Sequence, residues 1–435
     1  MSTATQAMTL KEQLLEKFET ELPSLFGEAA LRRSAAQQFE ATGFPTRKWE
    51  DYKYINPDAV LKKGFGTRIA AFRDITAEDV AELSPVKDAY VFVIINGHFV
   101  PDLSFSGELP DGLTVESIAD AVVSDPAAKA HYAELADSAA DPFIAINTAL
   151  ADSGLFMHIA QDSVIERPVH FLHIATNEVS AFLQPRHLVV AETNAQAILI
   201  ETFESIGPVR SFTNVLAEVV VADNAKLDHY RLQTENEAGH LLSTVQAHVS
   251  ANALYNTYTF TTGGAFVRNN LNVEIAGEHA EAHLYGLYLP SGNSVVDNHT
   301  LVDHQVPNCM SNELYKGVMY DHSQAVFNGK IYVQRDAQKT NAFQNNKNIL
   351  LSDDASINTK PQLEIYADDV KCSHGTSTGR MDEEALFYLR TRGIGEDNAR
   401  KLLVNAFAEE VVNAVPHEEL RNYIDTLIAR RMGTV

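Results

Sequence analysis

The sequence predicts a mainly β protein, a right-handed parallel β-helix core with helical N-terminal and C-terminal domains. Three observations predict it. From about 155 to 375, short apolar or alternating runs such as HLVVAE, AILIETF, LAEVVVA and KLDHYRL follow one another with almost no helical period between them. Within that stretch a turn of small, acidic or amide residues followed by Ala or Val recurs as AETNAQA, VADNAKL, SANALYN, AGEHAEA, YDHSQAV and SDDASIN. Its spacing is mostly about 30 residues, inside the ~20–50 range of repeat architectures. Both ends of the chain carry apolar residues at helical spacing instead.

A solenoid accounts for all three. Each coil pairs its backbone with the coils above and below, so inward apolar residues stack in columns while the turns tolerate Asn, Asp, His and Gly. A β-sandwich or a cupin-like barrel is the competing arrangement of so many strands. The expected units are a helical region over 1–84, a mixed α/β lead-in over 85–154, the β-helix over 155–380 and a helical module over 381–435.

In chain order, Leu10, Leu14, Leu15, Phe18 and Leu22 predict a first helix, which Pro23 breaks, and a second helix follows over 28–41. GFPTRKWEDYKYI then reads as a loop in which aromatics alternate with charges. AYVFVII at 89–95 predicts a strand, Asn96-Gly97 a turn, and the region around 115–150 further helices. After the solenoid, Leu402, Leu403, Ala406, Phe407 and Val411 predict one apolar helix face, and Pro416 the first turn of a last helix.

Composition narrows the function. The 435 residues carry 34 Lys and Arg against 58 Asp and Glu, a formal charge of −24, which repels nucleic acid and anionic lipid headgroups. MSTATQAMTLKEQ lacks the basic flank and apolar core of a leader, and no stretch is long and apolar enough to span a membrane. A cytoplasmic protein is expected. Its two cysteines, Cys309 and Cys372, are too few for a disulfide framework and are read as reduced thiols.

Catalytic motifs are scarce. Gly329-Lys330 is followed by Ile331 and lacks the glycine loop of a Walker A motif, so ATP hydrolysis is not expected. Gly393 and Gly395 lack a third glycine, and Gly263-Gly264 reads as a turn. The sixteen histidines are scattered and read mostly as turn or surface residues. Cys372 and His374 are the exception: two apart in the expected last strand, they point to one face. Thiolate and imidazole suit iron, zinc or copper, but two donors cannot close a site, so a second molecule must complete it. A buried thiol beside a satisfied histidine is the alternative, and core packing is the default for Cys309, five residues after His304.

NILLSDDASINTKPQLEIYADDVKCSHGTSTGR followed by LFYLRTRGI resembles the SufB/SufD family of iron–sulfur scaffold proteins, as do LYKGVMYDHSQAVFNGKIYV, NNLNVEIAGEHAEAHLYGLY and GFPTRKWEDYKYI. The Cys-Ser-His-Gly run at 372–375 favours the SufD branch, although Trp49 stands before Asp51-Tyr52 where members commonly place it after the acidic pair. The resemblance implies a non-catalytic scaffold subunit of a SufBCD-type complex. It would pair with a SufB-type protein through the β-helix, with itself when alone, and dock a SufC-type ABC ATPase on the C-terminal helices. It further implies that His374 is a candidate ligand of a transient iron–sulfur cluster shared with SufB, with Cys372 as its neighbour, and it leaves flavin binding open. A carbohydrate-active β-helix enzyme is the competing function, for which the sequence offers Asp303, Asp321 and His322.

Overall fold

The computed structural model describes residues 8–62, 64–67, 75–105, 107–176, 180–207 and 210–433. Part of the stretch read for a leader, 1–7, lies outside them. The first helix, Leu10–Glu21, starts where Thr9 and Glu12 form a capping box: the Thr9 hydroxyl accepts the Glu12 amide at 3.3 Å and the Glu12 carboxylate accepts the Thr9 amide at 2.7 Å. Pro23 follows in a short 3₁₀ turn. The second helix, Ala29–Thr42, ends on Gly43 at φ 63°. Leu14, Phe18 and Phe39 pack with Phe143 onto Phe182, Phe212 and Phe266 of the β domain. The expected strand is Tyr90–Ile95, and Asn96 and Gly97, at φ 49° and 85°, turn it back as an antiparallel hairpin. The region around 115–150 holds a short strand, Leu113–Ser117, and helices Ile118–Ser124, Pro126–His131 and Pro142–Leu150.

The remainder of the β structure is a parallel β-solenoid. One sheet runs from Tyr90–Ile95 through Val169–Ala175 and five further strands to Asn341–Leu350 and Lys371–Arg380. The other runs from Leu155–Ile159 through Arg186–Ala191 and later strands to Gln324–Val333 and Ser356–Ile365. From Arg186–Ala191 onward successive strands alternate between the sheets, and every pairing from Leu155–Ile159 onward within the coils is parallel. The repeated turns bring the chain around: Asn194, Asn224, Asn252, His279 and Asp321 all adopt positive φ, between 51° and 62°. That is why amide and acidic residues recur there, since they tolerate the left-handed region better than other side chains.

Stacking produces the expected columns, such as Leu227, Tyr255, Ala282, Ser311, Ala342 and Cys372 in direct register. The interior is not uniformly apolar, however. Glu201, His229 and Arg231 lie wholly inside, with His229 Nε2 2.8 Å from Glu201 and Nδ1 2.9 Å from the Tyr255 hydroxyl. Further along, Gln344 Nε2 donates to Glu313 at 2.7 Å, while Asn346 and Asn348 surround the Tyr288 hydroxyl. The reading of the histidines as mostly turn or surface residues is corrected for His170, His173, His187, His229, His240 and His304, all buried. All sit in strands, where alternate residues turn to opposite faces whatever their polarity: His173, His187, His229 and His304 turn into the coils, while His170 and His240 lie on outer faces that other parts of the chain cover.

Three helices, Glu383–Thr391, Glu396–Val412 and Glu418–Arg431, close the chain. Two expectations change here. Pro416 precedes the last helix, whose N-cap is His417, so the proline ends the preceding loop. The long helix buries Ala399, Val404, Ala408, Val411 and Val412, while Leu402 and Ala406 of the expected stripe face outward. Among the described residues, no helix is long and apolar enough to cross a membrane.

Candidate functional site

The last coil is where the sequence placed its candidate ligands. Among the described residues, Ser356–Ile365 pairs only with Gln324–Val333, and Lys371–Arg380 only with Asn341–Leu350, so both sheets finish in ten-residue edge strands. Whereas earlier strands are buried, Lys371–Arg380 is exposed along most of its length. Unpaired backbone donors and acceptors on two adjacent edges form a template for another chain's strands.

Cys372 and His374 lie on this strand, on its inward-directed face, in register with Ala342 and Gln344 of the coil below. The two are therefore on one face, as their spacing predicts. Cys372 is half-buried against Leu363, Val370 and Ala342, and burial pushes its thiol up from the ordinary value. His374 is exposed at the open end. Beside them the hydroxyls of Thr359 and Thr376 meet at 3.0 Å across the coil. The arrangement offers a thiol, an imidazole and hydroxyls at the mouth of the solenoid: a partial set of metal donors open to a second molecule.

Cys309 is different. It is buried, its thiol donates to the Gly277 and Pro307 carbonyls at 3.3 Å each, and burial raises it. His304 turns instead to Ser311, 2.9 Å away. This cysteine packs the core, its default expectation.

Comparison with known proteins agrees with the geometry. The family described as "SUF system FeS cluster assembly, SufBD core domain" matches residues 173–407, and "SufBD protein N-terminal region" matches 2–171. The chain belongs to the SufB/SufD family. Its likeness to the SufD branch is direct: it is 34% identical over 91% of both chains to the iron–sulfur cluster assembly protein SufD of Escherichia coli (strain K12). A SufBD family protein of Synechocystis is 29% identical over 92% of this chain and 90% of its own. Protein ABCI7, chloroplastic, of Arabidopsis thaliana is 28% identical over 95% of this chain and 88% of its own.

Two features of this SufB/SufD chain escaped sequence reasoning. The aromatic and charged loop is a clamp: Tyr52 stacks on the guanidinium of Arg268 at 4.0 Å and donates its hydroxyl to Asp141 at 2.5 Å. Arg268 also bonds the Asp51 carbonyl and pairs with Asp297, and Lys360 of an edge strand reaches Glu50 at 2.8 Å. The loop thus ties the N-terminal helices to the solenoid. On the other side, buried Lys316 donates to the Phe407 carbonyl at 2.7 Å and pairs with Glu410 at 2.6 Å, anchoring the C-terminal helices. The residues offered for a carbohydrate-active site do not converge: Asp303 binds Gln334 and Gln305, Asp321 accepts the Gly292 amide, and His322 faces Asp354 at 3.4 Å.

Proposed function

We propose that this chain is a non-catalytic scaffold subunit in iron–sulfur cluster assembly, working in a SufBCD-type complex. The observation that carries the reading is the open last coil, whose edge strands can accept the coil of a SufB-type partner and whose Cys372 and His374 face the junction. Family membership supports it, as do relatives named as iron–sulfur cluster assembly proteins. The cluster is cargo. His374 would supply one ligand from this side, with Cys372 beside it, and the partner the remainder, since a cluster needs about four protein ligands. The C-terminal helices, expected over 381–435, carry exposed Phe387, Tyr388 and Leu402, an apolar surface suited to a SufC-type ATPase. Energy from ATP would enter through that partner.

The test is co-purification with SufB- and SufC-type partners, followed by anaerobic reconstitution of wild type and His374→Ala. The complex is expected to form in both, with cluster absorbance several-fold lower in the variant. Equal absorbance would move the ligand elsewhere, and failure to form any complex would remove the scaffold reading.

A further inference from the structure

A second set of metal donors lies far from the open coil, inside the first turns of the solenoid. Ligand atoms of His173, His187 and Glu201 lie within 4.8 Å of one another, and all three residues are buried. Among the described residues, neither His173 Nε2 nor His187 Nε2 has a hydrogen-bond partner. Such orphaned buried groups are costly, by about 1–3 kcal/mol each, unless something not made of protein satisfies them.

The surrounding atoms assign roles. The Leu155 amide donates to His187 Nδ1 at 3.0 Å, so the neutral ring carries its proton on Nε2 and presents an N–H. His173 is held by stacking on Phe203, with ring centroids 4.5 Å apart. Burial disfavours the charged form of both rings. Burial works most strongly against ionised Glu201, but the hydrogen bond from His229 together with the positive charge around it, Arg231 included, outweighs burial and holds the carboxyl well below the usual range. One neutral imidazole nitrogen, one carboxylate and one N–H donor therefore converge.

We propose that this cluster is a site for a single divalent first-row transition-metal ion, with His173 Nε2 and Glu201 as protein ligands and His187 Nε2–H holding a solvent ligand on the ion. Imidazole with carboxylate is a donor set suited to iron(II), zinc or manganese. The side chains are already held in place: His229, itself bonded to Tyr255, fixes Glu201, and the Leu155 amide fixes His187. Arg231, 3.9 Å from Glu201, already offsets that carboxylate's charge, so the ion needs further negative charge. His173 also lines a small cavity together with Glu204 and Glu235, which form no salt bridge among the described residues. Burial raises both carboxyls, to about 7 and about 8.

The experiment uses the full-length chain with Cys372→Ala and His374→Ala, which removes the donors of the open coil and keeps the two sites separable. It is equilibrated anaerobically with Zn²⁺ or Fe²⁺, and bound metal is counted by mass spectrometry while circular dichroism follows the fold. One ion per chain is expected. His173→Gln and Glu201→Gln should each weaken binding at least tenfold, and His187→Gln less. Retention of the ion by both ligand variants, or no ion in the parent, overturns the proposal. Should a ligand variant fail to fold, X-ray absorption of the zinc-loaded parent decides: a shell of nitrogen and oxygen with an imidazole signature supports the site, and an empty spectrum or a sulfur shell overturns it.

Discussion

Arg186 and Glu218 form an ion pair 2.7 Å long with neither side chain exposed, and the Glu218 carboxylate also accepts the amides of Ala133, Leu135 and Ala136. It ties a loop of the lead-in region to a solenoid strand. Removing one partner of such a pair leaves an unbalanced buried charge, so Glu218→Ala should cost about 3–5 kcal/mol. Urea unfolding would measure it, and a loss below about 1 kcal/mol would show that the pair is replaceable. At this scale, Cys372 and His374 could be read from sequence because their relation is local: a separation of two on a strand sets one face. Glu201, His229 and Arg231 could not. Glu201 and His229 are partners 28 residues apart, on adjacent coils, and in AILIETF the glutamate reads as an ordinary polar step in a strand.

The turn is the element that makes the solenoid regular, and its asparagines do so through backbone conformation. Asn252 at φ 55° stands for the set. A β-branched residue there meets its own backbone, so Asn252→Val should destabilise by about 1–2 kcal/mol, whereas Asn252→Gly should change little. Equal effects of the two in thermal unfolding would refute the conformational explanation. The sequence revealed these turns because the same backbone demand selects the same residue types coil after coil. The long C-terminal helix shows the limit of such reading. Its strongest apolar stripe includes Leu402 and Ala406, yet the packed face uses the smaller Ala399, Val404 and Ala408. Periodicity identifies apolar faces, and close approach to the neighbouring elements decides which of them is buried.

Across the whole molecule, two opposed sets of buried groups shape the dependence of stability on pH. His170, His173, His187 and His304 fall from 6.5 to about 3 or 4 in the folded chain, so their contribution is present above 6.5 and is lost as pH falls toward those values. Glu204, Glu235 and Glu313 rise from 4.5 to about 7 or 8, so theirs is present below 4.5 and is lost as pH rises through the folded values. Between 4.5 and 6.5 the two slopes oppose each other. Denaturation across pH should therefore show a plateau there with a decline on each side, and Glu313→Gln should flatten the alkaline limb. A maximum near pH 8 would contradict this balance. The sequence by itself determined the strand-rich core, its repeat, the helical ends and the position of the Cys372/His374 pair, because each rests on local periodicity or local backbone preference. Tertiary structure alone decided which polar residues lie inside the coils, which helix face is covered and that the last coil stands open. Those outcomes depend on residues about one coil or more apart in the chain being brought into contact, and spacing along the chain does not encode that contact.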